Sequence, residues 1–276
     1  MKALFLISKS VKQFNIELLI LLSVIGISFS SCEKVVELDL KDSEPKLVIE
    51  ASVSDQNIQQ IVRISKTIPF TQSNSFNSVS GATVMLTTPT GQKIPFNEVE
   101  KGIYQSQKFA GIPGNKYVLD VTVAGKVYTA TSIMPLPVKL DSLSFKQISF
   151  FGKDNILPIA YYIDPRAVAN QYMYLLKVNG KAPEQILVED RFTDGNKVTE
   201  TLFTDKVELK EGDVLEVEMR GIDRNVFRYF FAIAQILGEG GPPVSPANPN
   251  SNFSNGALGV FGAYTASTLT KIVKIN

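Results

Sequence analysis

The sequence lacks histidine and tryptophan and contains a single cysteine. Without histidine, the chain lacks the commonest general base, the usual partner of a catalytic serine or cysteine, and the commonest metal ligand. One cysteine cannot form an intramolecular disulfide, nor can it build a zinc or iron–sulfur site. These absences argue against most enzyme classes, and we predict a protein that is not an enzyme, with no cofactor and no metal site.

The sequence also lacks an excess of either charge, because it contains 28 Lys and Arg residues and 27 Asp and Glu residues. The charges are scattered singly and in pairs, so nucleic acid is not an expected partner. With 276 residues, of which 44% are hydrophobic, the chain is long enough for one large or two modest domains with hydrophobic cores.

The N-terminus has the pattern of a secretory signal peptide. Three lysines precede an apolar run at residues 18–29, and two serines follow it. Positive, apolar and small residues in this order predict a cleaved signal at residues 1–31. The apolar run is shorter than the roughly 20 residues that a membrane span needs.

The only cysteine, Cys32, directly follows this segment in the spelling FSSC. This spelling resembles the bacterial lipobox, in which the cysteine is acylated and becomes the mature N-terminus. The resemblance implies that Cys32 is a lipid anchor, and the alternative is a buried thiol in an N-terminal helix. Each buried methylene of an acyl chain adds about 0.8 kcal/mol to membrane binding. Residues 32–46, charged and containing one proline, are predicted to form a lipidated tether.

Beyond the tether, apolar residues recur with a period of two, which predicts strands. Short strands separated by Gly and Pro turns at this spacing indicate an immunoglobulin-like β-sandwich over residues 47–136. Two closely spaced prolines then predict a domain boundary near Pro137. The strands predicted in this first domain are residues 47–53, 60–66, 82–88, 102–107, 117–123 and 127–133.

A second β-rich domain is predicted over residues 137–276. It contains one helix at 223–237, which follows an N-cap aspartate and ends at a glycine. The fold class is therefore mostly β, a β-sandwich followed by a second β-rich domain with one helix. Its predicted strands are residues 156–163, 172–178, 185–189, 200–204 and 214–220, with one or two more in 257–275.

Apolar residues nearly encircle the predicted helix, so we expect it to be mostly buried, against a sheet or against a partner. The long loop at 238–256 is rich in Gly, Pro, Asn and Ser, and loops of this length are usually functional or disordered. We predict that this loop presents a contact surface.

Two further pairs of residues are candidates for ligand binding or catalysis. Tyr172 and Tyr174 would share one strand face, where they could contact a sugar ligand or pack against side chains of neighbouring strands. Glu216 and Glu218 also share a face and could in principle serve glycoside hydrolysis, but their alternation with Leu215 and Val217 favours a solvated strand face.

Several stretches resemble a family of Bacteroidetes lipoproteins known as domain of unknown function 4249. They are residues 32–40 (CEKVVELDL), 47–55 (LVIEASVSD) and 248–264, whose glycines 256, 259 and 262 lie beside aromatic residues. Residues 81–84 and 113–121 also resemble the immunoglobulin-like, carboxypeptidase-regulatory-like module. The tail glycines are interpreted as backbone requirements for turns or close strand packing.

The family resemblance implies an outer-membrane lipoprotein that accompanies a TonB-dependent receptor in nutrient uptake. Within this bacterial group the tripeptide DSL at residues 141–143 resembles an O-glycosylation motif with Ser142 as acceptor. We therefore expect a lipid-anchored accessory protein, on either face of the outer membrane. The alternative is a free-standing carbohydrate-binding lipoprotein.

Overall fold

The structure, a computed structural model, describes residues 44–68, 76–150, 153–189, 195–203, 206–238 and 248–275. These residues form fourteen strands and one helix, α1, between the last two strands. The elements are β1 Leu47–Ser54, β2 Ile58–Lys66, β3 Thr83–Thr87, β4 Lys93–Glu100, β5 Ile103–Phe109, β6 Lys116–Val123, β7 Lys126–Ile133, β8 Leu140–Phe150, β9 Lys153–Ile163, β10 Gln171–Val178, β11 Glu184–Glu189, β12 Lys197–Thr201, β13 Val214–Ile222, α1 Arg224–Ile236 and β14 Leu258–Ile272.

The strands form two sheets. The large sheet has eleven strands in the order β11-β10-β13-β14-β1-β2-β5-β4-β3-β6-β7, and the small sheet has the order β12-β9-β8. All neighbours are antiparallel except β1 and β14, which run parallel and lie near opposite ends of the described chain. The prediction of a mostly β fold with one helix is confirmed.

Eight neighbouring strands, from β14 through β1 to β7, bury their inner faces in one hydrophobic cluster, the first core. Fully buried members include Ile49 on β1, Leu86 on β3 and Leu119 on β6. Strands that lie far apart in the order of the sheet thus share one core. The sheet therefore curls over itself, which is how a β-sandwich excludes water from both inner faces.

Residues 251–255 close this curled sheet between β7 and β14. Phe253 is buried and forms a backbone bridge with Ala130 of β7. The Asn252 side chain donates to the Phe261 carbonyl at 2.8 Å and accepts from the Phe261 N–H at 3.0 Å. This part of the predicted long loop therefore stabilises the fold, while residues 239–247 lie outside the described residues. A contact surface on the loop stays a prediction.

A second core lies between the small sheet and the other part of the large sheet. The chain first passes from one core to the other between Met134, which belongs to the first core, and Val138, which belongs to the second. Strand β14 nevertheless belongs to both, since Phe261 packs in the first core and Leu269 against the second. The division into two domains at Pro137 stays a prediction, and residues 44–276 form one compact unit.

Sequence patterns missed two strands and shifted a third. Strand β4 contains Pro95, and a proline within a run argues against a strand, although here the large sheet accommodates it. Strand β8 begins just after the two prolines that predicted a boundary. Strand β12 ends at Thr201, three residues before the predicted end. The predicted helix, by contrast, is confirmed to within one residue at each end.

Candidate functional site

Helix α1 lies on one face of the large sheet and is fixed there at its N-terminus. The N-cap Asp223 accepts hydrogen bonds from the backbone N–H groups of Asn225 (2.9 Å) and Val226 (3.0 Å). Val226 and Phe227 are buried in a third hydrophobic cluster between helix and sheet. A Cβ atom on Gly262 of β14 would lie 3.1 Å from the Val226 side chain, so the glycine permits close approach of the helix.

A short relay of hydrogen bonds connects the helix N-terminus to the curled sheet. The buried Ser132 of β7 donates from its hydroxyl to the Asp223 carboxylate. The same hydroxyl oxygen accepts a hydrogen bond from the Ala263 N–H of β14 at 2.8 Å. One serine therefore couples two strands to the cap of the helix and fixes where the helix starts.

The C-terminal half of α1 is far less covered by the sheet, and burial of this half against a partner, the other expectation for the helix, stays a prediction. Phe231 is 44% exposed and Leu237 is 67% exposed. The Phe231 ring is nevertheless held in place, since it stacks on Phe227 with ring centroids 5.8 Å apart. This end of the helix is exposed because β11 is the last strand of the large sheet, and no further described strand extends beneath the helix there.

A cavity of about 870 Å³, here called the edge groove, runs beside this end of the helix. One wall comes from β8, β9 and the segment before β13, the other comes from α1, and β11 lies between them. Its volume is in the range of protein ligand sites, and its lining is mainly aliphatic and aromatic. The side chains that matter below are Leu157 and Phe203 on the first wall, Leu187 on β11, and Phe231 and Leu237 on the helix.

A smaller cavity of about 240 Å³, the arginine groove, lies on the sheet face on the other side of α1. The Arg220 guanidinium lies 4.3 Å from the centroid of the Tyr264 ring and forms an ion pair with Glu218. Arg63 and Glu50, paired across β1 and β2, also line this groove. The lining itself has two arginines and one glutamate, and Glu218, just outside it, balances the charge of Arg220.

The two tyrosines proposed for sugar contact lie inside the second core. Tyr172 and Tyr174 are 1% and 0% exposed, and the Tyr172 hydroxyl donates to Asp164 Oδ1 at 3.0 Å. Burial, reinforced by the neighbouring Tyr162, raises the pKa of the Tyr174 hydroxyl. Burial leaves neither ring a face on which a sugar could stack. Their role is core packing, which the sequence had left open.

Ser142 and Cys32, the two predicted modification sites, stay predictions. Ser142 is exposed on β8, beside a register shift in the pairing of β8 with β9. Its neighbour Leu143 points into the second core. Cys32, the signal segment 1–31 and most of the tether lie outside the described residues.

The carboxylates proposed for hydrolysis both have cationic neighbours. Glu216 Oε1 lies 3.6 Å from Lys177 Nζ on an exposed strand face, and Glu218 pairs with Arg220. Among the residues that the structure describes, no three acidic or cysteine side chains are grouped so that they could hold a metal ion. Nor does any helix in this part of the chain have the length and hydropathy needed to cross a membrane.

A family model, described as a domain of unknown function (DUF4249), matches residues 33–270. The chain belongs to the DUF4249 family. The match runs from before β1 to within two residues of the end of β14, and it covers all but Cys32 of the three stretches on which the resemblance rested. Within this DUF4249 chain, the tail glycines have the predicted backbone causes: Gly259 has a φ of +95° against the Ile49 backbone, and Gly256 has a φ of +75° in a turn.

Solved structures provide distant similarity. A segment of two fibronectin type-III domains from chicken tenascin is 17% identical over 64% of this chain and 90% of its own, with a TM-score of 0.23. A DUF4785 family protein from Legionella pneumophila is 16% identical over 66% of this chain and 54% of its own, with a TM-score of 0.25. Comparison with curated proteins finds no match.

Sequence reasoning missed the edge groove because five separate segments build it. The available signal was the helix itself, whose apolar residues exceed what one buried stripe requires. A docking role for the helix was one of the two open interpretations, and the exposure of Phe231 and Leu237 favours it for the second half of the helix.

Proposed function

We propose that this DUF4249 protein is an accessory binding protein that holds a partner protein at the edge groove. The single observation that carries the proposal is the grouping of Phe203, Phe231 and Leu237, which are 65%, 44% and 67% exposed and all line this one groove. Single exposed apolar residues are normal on protein surfaces, but a contiguous apolar groove favours a binding site.

The charge and shape of the groove support a protein partner. Aromatic side chains held in place lose little entropy on binding, and Phe231 is already stacked on Phe227. The ion pair between Lys206 and Glu184, with 3.2 Å between Nζ and Oε1, also lines the groove. Protein interfaces commonly combine apolar contacts with polar side chains.

Location and partner class follow from the sequence. The lipobox resemblance supports an anchor at Cys32, with residues 33–46 as the tether that sets the reach of the folded part. The family resemblance supports an outer-membrane location and a TonB-dependent receptor as the partner. Free-standing carbohydrate capture is the rival function, and it would have to use residues other than Tyr172 and Tyr174, which are buried.

The test is crosslinked recovery of the C-terminally tagged, lipidated full chain from native membranes, with Phe231→Glu as the variant. Phe76→Glu is the matched control, because Phe76 is 51% exposed and lines neither groove. We expect one receptor at near-stoichiometric amount with the wild type and Phe76→Glu, and at least a tenfold loss with Phe231→Glu. Cys32→Ala should also lose the receptor, because it removes the anchor.

Two outcomes contradict the proposal. Equal recovery with Phe231→Glu would remove the edge groove from the interaction. Recovery of nothing above background with the wild type would reject the accessory role and favour the carbohydrate-binding rival, which a glycan array would then examine.

A further inference from the structure

Strand β11 ends the large sheet, and among the described residues it pairs only with β10. In an antiparallel pair, alternate residues of the outer strand turn their backbone N–H and C=O groups away from the neighbour. Such an open edge is a template for another strand, and proteins usually protect it with charge, proline or a covering element. The strand β11, Glu184–Glu189, has no proline, and its charged residues stand only at its two ends.

The side chains on the two faces of β11 point towards opposite walls of the edge groove. Ile186 and Val188 pack against the second core, on the side of β8 and β9. Leu187 packs in the cluster beneath α1, on the side of Phe231 and Leu237. A strand added to β11 would therefore direct its side chains alternately towards the small sheet and towards the helix, with apolar surface on both sides.

The chain's own continuation is a poor occupant of this space. The helix leads into the groove at Gly238, and the following residues 239–247 read EGGPPVSPA. Three of these nine residues are prolines, which have no N–H to donate, and only one, Val244, has a large apolar side chain. This composition supplies neither the backbone donors nor the side chains that an apolar strand edge requires.

We propose that an extended segment of the partner protein adds to β11 as a further strand of the large sheet. This inference rests on the proposed function, since it specifies how the partner occupies the edge groove. β11 has six residues, so the bound segment is about six residues long, roughly 20 Å. It carries apolar side chains on both faces, because both walls are apolar. Backbone hydrogen bonds to β11 provide affinity, and the two walls provide specificity.

The experiment uses photo-crosslinking in the full, lipidated chain in its own membranes. The photoreactive amino acid p-benzoylphenylalanine replaces Phe203 on the first wall or Phe231 on the helix wall, two exposed aromatic positions where it is tolerated sterically. Phe76 is again the control position. We expect Phe203 and Phe231 to capture one and the same partner segment, at residues separated by an odd number of positions, and Phe76 to capture none of it.

A synthetic peptide of the captured segment then distinguishes a strand from other bound forms. Its backbone nitrogens are methylated one at a time, and binding to the full chain is measured. For an added strand, methylation of alternate nitrogens weakens binding at least tenfold, because those N–H groups donate to β11, while the nitrogens between them tolerate methylation within about threefold.

The outcomes separate this inference from the proposed function. Capture from Phe231, with methylation effects that do not alternate, would overturn the added strand and leave the edge groove as the binding site. Capture from neither Phe203 nor Phe231 would overturn both. Alternating methylation effects together with capture from both walls would establish strand addition.

Discussion

The curled sheet around the first core and the region around α1 differ in how their exposed apolar side chains are arranged. In the curled sheet, exposed apolar residues such as Ile58, Ile112 and Val127 line neither groove. Around α1, Phe203, Phe231 and Leu237 have similar exposure but share one groove. The exposed fraction of single apolar residues therefore does not distinguish the two regions. The grouping of such residues in one groove does.

The difference comes from how each region ends its sheet. The curled sheet has a closing segment, residues 251–255, which fills the gap between β7 and β14 with the buried Phe253. At the other end of the same sheet, no described segment pairs with the outer edge of β11. Among the described residues, one edge is closed by the protein's own chain and the other has no strand paired to it.

The largest effect is expected where the two regions share a strand. Gly259 of β14 has a φ of +95°, and a Cβ atom there would lie 2.0 Å from the Ile49 carbonyl oxygen of β1. Gly259→Ala should therefore lower the free energy of unfolding by more than about 4 kcal/mol, since neither backbone can move without breaking the β1–β14 pairing. Denaturant unfolding, followed by circular dichroism, measures the loss.

Gly256→Ala is the matched control, because Gly256 has a similar φ of +75° but open space around its Cβ position. We expect it to cost about 1–2 kcal/mol, from the left-handed backbone alone. Because β14 runs through both cores, Gly259→Ala should destabilise both in one transition. Two separate transitions, with only the first core weakened, would support independent domains divided at Pro137.

Truncating a buried side chain in the second core should strongly reduce stability, although this core lies beside the edge groove. Tyr174 is fully buried, so Tyr174→Ala should lower the free energy of unfolding by about 3–5 kcal/mol through loss of packing. Tyr174→Phe should be nearly neutral, because the Tyr174 hydroxyl has no hydrogen-bond partner among the described residues. Thermal unfolding measures both. A stable Tyr174→Ala protein would reopen a ligand role for this residue.

A smaller and more local effect is expected at the helix cap that positions the groove. Asp223→Ala removes the acceptor for two helix N–H groups and for Ser132, and should cost about 1–2 kcal/mol. Asp223→Asn keeps the capping oxygen and should cost less. Hydrogen exchange should accelerate in α1 and leave the amides of β3 and β6 unchanged. Equal acceleration throughout the chain would mean that the relay supports the whole fold and not the groove alone.

The sequence predicted the elements whose patterns are local. The helix ends follow from Asp223 and Gly238, and most strands follow from alternation bounded by turn residues. It did not predict that Asn252 and Phe253, inside a segment rich in loop-forming residues, would close the curled sheet. The bond from Asn252 to the Thr131 carbonyl and the bridge from Phe253 to Ala130 join residues more than a hundred positions apart, and a local pattern carries no information about them.

The candidate site was still less predictable. The tyrosines that looked suited to a ligand are buried, because the small sheet covers the face they share. The residues of the edge groove looked like ordinary core positions, and only the end of the large sheet at β11 leaves them exposed. Whether an apolar residue serves a core or an interface depends on the order of strands, which alternation does not encode.

The smallest expected effect belongs to the curled sheet and depends on pH. The exposed Glu98 carboxylate accepts hydrogen bonds from the backbone N–H groups of Gly81 (3.0 Å) and Gly102 (2.9 Å), which lower its pKa to about 2. A carboxyl with a lowered folded-state pKa stabilises the fold above its ordinary pKa of 4.5, and this contribution is lost as pH falls from there towards 2. Glu98→Gln should therefore lower Tm slightly at pH 7, and the difference from wild type should shrink below pH 4.5. Because Glu98 is far from α1, receptor recovery should be unchanged at pH 7; a loss of recovery would mean that the curled sheet also contacts the partner.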